Sequence, residues 1–174
     1  MHPNLRCIRN ASKRPTVVAS QAMRLTTFTD YSLRVLMYRA ADTHPRVTIA
    51  EIAAAFDISE NHLMKVVHFL GRAGLLVNVR GKGGGLELGA PANTIYIGRV
   101  VKLTEGTDRP AECFDPKTNV CRIPSACRLR RVLDDAVRAF YAVLDQYTLE
   151  DITRNREILA KILSMRHPHS RHVV

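Results

Sequence analysis

The chain has 174 residues, of which 46% are hydrophobic and 24% are charged, the ordinary range for a globular protein. Its 26 lysines and arginines outnumber its 16 aspartates and glutamates, and the resulting formal net charge of +10 indicates a polyanionic partner. No apolar run approaches the roughly 18 residues of a membrane-spanning helix, so the composition favours nucleic acid and no membrane partner.

Residues 1–22 carry four cations and no acidic residue, and they contain no apolar stretch long enough for a secretory signal. We expect them to form a disordered basic tail, or to precede a true start at Met23. Without an export signal the expected compartment is the cytoplasm, where closely spaced cysteines indicate metal ligands before disulfides. Cys7 lies in this tail and is expected to be incidental.

Residues 23–92 have the pattern of a winged helix-turn-helix DNA-binding domain. Apolar residues at helical spacing predict a first helix over 29–41, and Thr48 is a natural N-cap for a short second helix. After a tight turn, Ser59 is expected to cap a third helix that ends near residue 73. The buried stripe of this third helix is predicted to be Leu63, Val66, Val67 and Leu70.

A glycine-rich turn at residues 80–85 joins two predicted strands, 75–79 and 86–88. Glycines around Arg80 and Lys82 would let the backbone approach a polyanion while the two cations supply charge, as in a DNA-binding wing. The alternative is a flexible hairpin tip with solubilising charges. The order of elements predicts a mainly α fold with a small β wing.

The front of the third helix carries polar residues at its N-terminal end, where a recognition helix reaches base edges in the major groove. The alternative is an ordinary amphipathic helix with a solvated front, which the basic hairpin directly after it makes less attractive. The expected partner is double-stranded operator DNA. The candidate DNA-binding residues are Ser59, Asn61, His62, Lys65, Arg80 and Lys82.

Residues 93–164 are expected to hold a ligand-binding loop and dimerisation helices. A helix over 97–104 is followed by a proline-rich loop without periodicity, and a long helix begins near Arg128. Its apolar face is larger than a small head can cover, so we expect a homodimer. Thr148 should start one last helix that holds Ile152 and Ile158, and residues 165–174 are expected to be a disordered tail. The apolar face of the long helix comprises Leu129, Val132, Leu133, Ala136, Val137, Phe140, Leu144 and Tyr147.

Cys113, Cys121 and Cys127 lie within fifteen residues of the loop, with seven and five residues between them. Paired C-x-x-C knuckles, the usual signature of structural zinc, are absent, and the wide spacing suits three corners of an iron–sulfur cluster. The alternative is a redox-sensing thiol set without metal. An iron–sulfur or zinc enzyme or an electron-transfer module would need paired acid–base residues, which the sequence does not show. We predict no catalytic residues and no enzyme activity.

The sequence resembles the iron–sulfur winged-helix regulators and, within them, the NsrR-type nitric-oxide-sensing repressors, from Met23 to about Asn155. The matching blocks are residues 23–31, 62–67, 79–86 and 112–129. The resemblance implies a homodimer in which Cys113, Cys121 and Cys127 hold a [4Fe–4S] cluster and Asp30 of the partner subunit supplies the fourth ligand. It further implies that nitric oxide nitrosylates the cluster, which releases the repressor from its operators and allows nitric-oxide detoxification genes to be expressed.

Several features leave alternatives open. Asp30 is equally suited to be a helix N-terminal carboxylate that stabilises the dipole without a metal role. The seven-residue interval between the first two cysteines approaches the pattern of iron-responsive repressors in the same superfamily. An iron-status-responsive repressor of iron-uptake genes, with the same fold and ligands, is therefore the second hypothesis. Arg130 stands where the cluster-assembly regulators carry a histidine, which argues against a [2Fe–2S] regulator of cluster biogenesis.

Overall fold

The computed structural model describes residues 24–42, 46–81, 83–106, 110–115, 117–123 and 125–165. The basic tail with Cys7, the wing residue Lys82 and the C-terminal tail after residue 165 lie outside the described residues. The predicted fold class, mainly α with a small β wing, is confirmed. In chain order the elements are α1 (Thr27–Ala41), α2 (Ile49–Phe56), α3 (Glu60–Arg72), β1 (Leu76–Val79), β2 (Gly85–Leu88), α4 (Ile97–Glu105), α5 (Arg128–Leu144), α6 (Leu149–Ile152) and α7 (Arg156–Met165).

Side-chain caps fix where the first two helices begin. The Thr26 hydroxyl accepts a hydrogen bond from the Thr29 amide at 3.2 Å and caps α1. Before α2, the Glu51 amide donates to the Thr48 hydroxyl and the Thr48 amide donates to the Glu51 carboxylate, which makes a complete capping box. The N-cap predicted at Thr48 is therefore confirmed. Asp57, at φ 55°, then ends α2 in the left-handed region and begins the turn into α3.

The core lies between α1, α2, α3, the wing and α4. The predicted stripe on α3 is confirmed, because all four of its members are buried. An apolar stripe of this width fixes how the helix is rotated, so the residues of its opposite face must lie in solvent. The largest fully buried side chains include Leu36, Ile52, Leu63, Leu70, Leu86 and Leu149.

β1 and β2 form the wing, an antiparallel pair in which Leu76 lies opposite Leu88 and Val79 opposite Gly85. Val47, just before α2, adds an isolated bridge to this sheet: the Leu86 amide donates to the Val47 carbonyl at 2.7 Å. The hairpin is thus fastened to the helical body through its β2 strand. A two-stranded hairpin alone is marginally stable in water, so this attachment helps to hold the wing in place.

The beginning of α1 is tied to the end of α4. The Thr26 amide donates to the Glu105 carboxylate at 2.8 Å, and the Thr29 hydroxyl donates to the Thr104 hydroxyl at 2.8 Å. Both bonds bridge residues more than 70 positions apart in sequence. They place the first turn of α1, which carries Asp30, against the end of α4. The loop that carries Cys113, Cys121 and Cys127, the cysteine loop, follows α4 in the chain.

The prediction of one last helix after Thr148 is wrong. The capping box between Thr148 and Asp151 is present, but α6 ends at Ile152 and α7 starts only at Arg156. Thr153 is fully buried at φ −116° and ψ 19°, and its hydroxyl donates to the Leu149 carbonyl at 2.7 Å. Threonine side chains that bond to a carbonyl four residues back compete with the helical ladder, so the helix breaks here.

α5 buries none of its residues within this one chain. Towards its end Phe140 and Leu144 pack against the core, whereas near its start Leu129 is 63% exposed and Val132 is 60% exposed. The helix ends at Leu144, so Tyr147 lies beyond it instead of on its apolar face as predicted. The first half of α5 therefore presents an apolar surface that the described residues leave uncovered.

Candidate nucleic-acid interface and metal centre

The outward face of α3 is polar and cationic. Asn61 and Lys65 are both exposed and lie four residues apart, so they project from the same side of the helix, opposite the buried stripe. His68 and Arg72 continue this face and are also exposed. The structure therefore brings two of the predicted DNA-binding residues together on the surface that a recognition helix would present.

His62 is exposed but lies to one side of that face. Successive helical residues are rotated by about 100°, which turns His62 away from Asn61. Its ring lies 6.5 Å from the ring of Tyr31 on α1, centroid to centroid, with the planes tilted by 36°. His62 is thus placed where it can connect the candidate reading helix to α1.

Ser59 occupies the N-cap position of α3, as predicted, but its side chain makes no capping hydrogen bond. The residue is exposed, and its backbone carbonyl accepts from the His62 and Leu63 amides. A hydroxyl at a helix N-terminus that does not cap the helix can instead donate to an anion at the same place. The position suits a phosphate contact.

The tip of the wing depends on backbone conformations that glycine adopts. Gly81 and Gly83 have φ values of 100° and 75°, in the region that other residues rarely adopt. Arg80 is exposed at the end of β1, whereas Lys82 lies outside the described residues. A side chain at Gly84 would collide with the Val79 carbonyl, so this turn is closed too tightly for any other residue.

The candidate metal ligands are free thiols at three kinds of position. Cys113 is half-buried in a 3₁₀ turn, Glu112–Phe114, and Cys121 is exposed, its amide donating to the Asn119 side chain at 3.0 Å. Cys127 is half-buried at the N-cap of α5, where its side chain makes no capping bond. No disulfide joins these three cysteines.

Among the residues with described placement, no three histidine, cysteine or acidic side chains are gathered as they would be around a metal ion. The fit to a cluster therefore depends on the chemistry of the donors. Three thiols on one loop are soft ligands of the kind that hold iron–sulfur clusters, and the Cys127 thiol is not engaged in capping. The donor set suits such a cluster.

Four arginines lie in the cysteine loop or in the first turn of α5 directly after it. The guanidinium of Arg130 lies 5.6 Å from the ring centroid of Phe114, which connects the first turn of α5 to the turn that holds Cys113. Arg122, Arg128 and Arg131 are exposed nearby in sequence. Cations and a helix N-terminus at these positions would favour the binding of an anionic group by the loop.

Asp30 is engaged within its own helix. Its carboxylate accepts from the Arg34 guanidinium at 2.8 and 3.2 Å, and its side chain is 44% exposed. Arg34 also lies 6.0 Å from the Tyr31 ring and 5.7 Å from the Phe56 ring. All four residues line a surface concavity of about 640 Å³, next to the turn between α2 and α3. The carboxylate is accessible, and Arg34 is its present partner.

The shifted pKa values lie away from these sites. Burial raises the pKa of Tyr38 to about 12, and hydrogen bonds from Thr148 lower the pKa of Asp151. Both groups are structural, one in the core under α2 and the other in the cap of α6.

Arg46 is a candidate functional residue that sequence reasoning missed. Its guanidinium donates to the Gly83 carbonyl at 2.6 Å and to the Glu87 carboxylate at 3.2 Å, so it contacts both the tip and the second strand of the wing. One sequence signal could have indicated this role. Arg46 directly precedes Val47 and Thr48, and two β-branched residues favour a short extended segment that can pair with the wing.

No helix in the described part of the chain is long and apolar enough to cross a bilayer.

Comparison with known proteins gives the family. The profile of the Rrf2 family, described as iron-dependent transcriptional regulators, matches residues 25–155. The regulator NsrR of Bacillus subtilis is 46% identical over 145 residues, which cover 83% of this chain and 99% of that protein. NsrR of Bacillus licheniformis is 44% identical over 143 residues, covering 82% of this chain and all of that protein.

Solved structures agree with this placement. Staphylococcus aureus CymR superposes with a TM-score of 0.58 at 28% identity, covering 74% of this chain and 96% of that one. IscR of T. potens has a TM-score of 0.63 at 23% identity, covering 79% and 91%, and shows the same fold. The predicted winged helix-turn-helix and the expectation of no enzyme are confirmed. The chain belongs to the Rrf2 family of DNA-binding transcriptional regulators and, within that family, is of the NsrR type.

Proposed function

We propose that this regulator is a dimeric cytoplasmic repressor that senses nitric oxide through a [4Fe–4S] cluster. Cys113, Cys121 and Cys127 hold the cluster together with Asp30 of the partner subunit. Reaction with nitric oxide releases the protein from its operators, so that nitric-oxide detoxification genes are expressed. The observation that carries this proposal is the loop of three free thiols that ends at the N-terminus of α5, in a chain of the NsrR type.

The cysteine loop supplies the ligands and their electrostatic surroundings. When bound, the cluster supplies iron that reacts with nitric oxide. Cys127 stands at the start of α5, so a change at its sulfur acts directly on the first turn of that helix. Arg130 connects the same turn to Phe114, beside Cys113. The loop and the helix are therefore mechanically coupled at both of these cysteines.

To become a ligand, Asp30 would turn at least one carboxylate oxygen from Arg34 towards the iron. The ion pair between them is accessible to water, and exposed pairs of this kind contribute little, so their exchange costs little. A carboxylate oxygen is a hard ligand on iron otherwise held by sulfur, which makes this fourth position the readily exchanged one. If the iron lost this ligand, Arg34 would be available as the alternative partner of the Asp30 carboxylate.

The exposed apolar surface of α5 supports a dimer. Leu129 and Val132 are exposed in the first half of α5, which directly follows the cysteine loop. Ile158 and Ile162 of α7 are also exposed. Apolar side chains in such number on two helices are typical of an interface between subunits. Because this surface starts next to Cys127, dimerisation would bring a second subunit close to the cluster loop.

The DNA contacts follow from α3 and the wing. Asn61 on the outward face of α3 would read a base edge in the major groove, and Lys65 would reach a guanine edge or a phosphate. Arg80 and Lys82 would follow the backbone or the minor groove. A two-fold dimer would meet two half-sites whose centres are one or more helical turns apart, roughly 34 Å each.

An iron-status repressor is the second candidate, favoured by the description of the family as iron-dependent. Both candidates use the same ligands, so the signal must be tested. Anaerobically purified protein is titrated with nitric oxide or with an iron chelator while binding to a selected operator duplex is followed. A few equivalents of nitric oxide per cluster are expected to release the duplex. The same number of equivalents of chelator is expected to leave it bound. Release by chelation alone, with indifference to nitric oxide, would establish the iron-status candidate instead.

A further inference from the structure

Arg46 lies in the extended segment before α2 that joins the wing through Val47. Its Nη1 donates to the Gly83 carbonyl at 2.6 Å and its Nε donates to the Glu87 carboxylate at 3.2 Å. One guanidinium therefore holds the tip of the wing and its second strand at the same time. Because the guanidinium is planar and rigid, two bonds fix its orientation.

The backbone around Arg46 is built to bring it this close. A Cβ at Gly85 would lie 2.9 Å from the Val47 carbonyl oxygen and 3.0 Å from the Cβ of Arg46. Glycine at this position is what allows the segment with Arg46 to lie against β2. The contact belongs to the folded wing and is not an incidental meeting of surface side chains.

The two hydrogen bonds to Gly83 and Glu87, which together clamp the wing, leave other N–H groups of the Arg46 guanidinium available. Arginine has five N–H donors, and the described residues accept two hydrogen bonds from Arg46. The side chain is 40% exposed and that of Glu87 is 39% exposed, so water screens their ion pair and leaves the cation accessible. An arginine already fixed in orientation loses little further freedom when it binds a phosphate.

We propose that Arg46 is an additional DNA-contacting residue: it holds the wing and donates its remaining N–H groups to a phosphate beside the wing tip. This rests on the proposed function in one respect, the assignment of residues 80–85 as a DNA-contacting wing. Contact with a phosphate carries no sequence information, so Arg46 positions the wing and sets the register at which Arg80 meets the duplex.

The test compares Arg46→Ala with Lys102→Ala. Lys102 is a matched control because it is an exposed cation in one ion pair, with Asp145 at 2.6 Å, on α4 outside the helix-turn-helix. Affinity is measured across a salt series for a duplex selected by the wild type and for a random duplex. Arg46→Ala is expected to weaken both duplexes and to reduce the magnitude of the salt slope by about 1 per chain, while Lys102→Ala leaves the slope unchanged.

Arg46→Lys separates charge from clamping. It is expected to keep most of the salt slope, whereas hydrogen exchange at the Gly84 and Leu86 amides of the free protein becomes faster because a lysine cannot form the two-point clamp. An unchanged slope in Arg46→Ala, even with faster exchange, would overturn the phosphate contact. If Arg80→Ala in the same assay leaves both affinities and the salt slope unchanged, the proposed wing assignment is overturned instead.

Discussion

The two halves of this chain differ in how many of their side chains are buried or hydrogen-bonded within the described structure. The helix-turn-helix half has side-chain caps on α1 and α2, a buried stripe on α3 and a wing closed by tight glycine turns. The other half has a loop of free thiols and a long helix that buries no residue of its own. The first half is specified by local chemistry, whereas the second carries free thiols and apolar side chains that the described residues do not cover.

This difference has a functional meaning. A DNA-reading surface must keep its shape to recognise a sequence, so a close-packed scaffold under α3 suits it. A sensor must change when its signal arrives, and elements with few buried contacts change at low free-energy cost. The bonds from α1 to Glu105 and Thr104 join the first turn of α1 to the end of α4, and they add to the packing of α1 against α4, α6 and α7 that connects the halves.

The largest expected effect tests this contrast with one chemical change made in both halves. Leu63→Ala removes a fully buried side chain and should lower the free energy of unfolding by about 2–5 kcal/mol. Leu129→Ala removes an exposed one and should change it by less than about 0.5 kcal/mol at protein concentrations where the chain is monomeric. Urea unfolding followed by circular dichroism measures both. Equal losses would mean that α5 is already packed within one chain.

The next effect concerns the uncovered surface of α5. Leu129→Asp should weaken dimerisation by well over 100-fold, because an unpaired carboxylate in an apolar interface costs about 3 kcal/mol or more and a symmetric dimer contains two of them. Ala142→Asp adds the same charge at an exposed position on the opposite face of α5 and should leave the dimer intact. Sedimentation at several concentrations gives the two dissociation constants. Dimers of equal strength in both variants would place the interface elsewhere.

A smaller effect distinguishes reading from anchoring on α3. Asn61→Ala should cost about 1–3 kcal/mol of binding free energy on the operator and little on a random duplex. The reason is that a side-chain amide can form two hydrogen bonds with one adenine. Lys65→Ala should weaken the two duplexes more evenly if it meets a phosphate. Competition binding at fixed salt measures both ratios. Equal weakening of both duplexes by Asn61→Ala would remove its reading role.

The smallest effect is expected at Asp30. Asp30→Ala should leave the cluster bound by three cysteines but alter its visible absorption and its rate of reaction with nitric oxide. Arg34→Ala is the complementary change, because it removes the competing partner of the carboxylate while the carboxylate remains. Stopped-flow absorption resolves the two variants. If both retain the wild-type spectrum and rate, Asp30 is only a helix N-terminal carboxylate.

Sequence patterns predicted the helix-turn-helix well because its signals are local. The N-cap at Thr48 and the buried face that includes Leu63 depend on residues within one or two helical turns. The break after Ile152 was not foreseen, because it depends on the burial of Thr153, which is a tertiary property. Arg46 was missed for the same reason: its contacts with Gly83 and Glu87 span about 40 residues.

The cysteine loop marks the limit of sequence reasoning. The spacing of Cys113, Cys121 and Cys127 indicates soft metal ligands, but it cannot say how a loop without periodicity brings them together. A bound metal group would supply free energy to order such a loop, as in metal sites whose binding is coupled to folding.

The most direct test is the iron and sulfide content of anaerobically purified protein, with its visible spectrum. The account predicts a brown protein with about four irons and four sulfides per chain. The cluster should be lost in Cys113→Ala, Cys121→Ala and Cys127→Ala and retained in Cys7→Ala. A colourless wild type that binds one zinc tightly, with no sulfide, would contradict the proposal that this loop holds an iron–sulfur cluster.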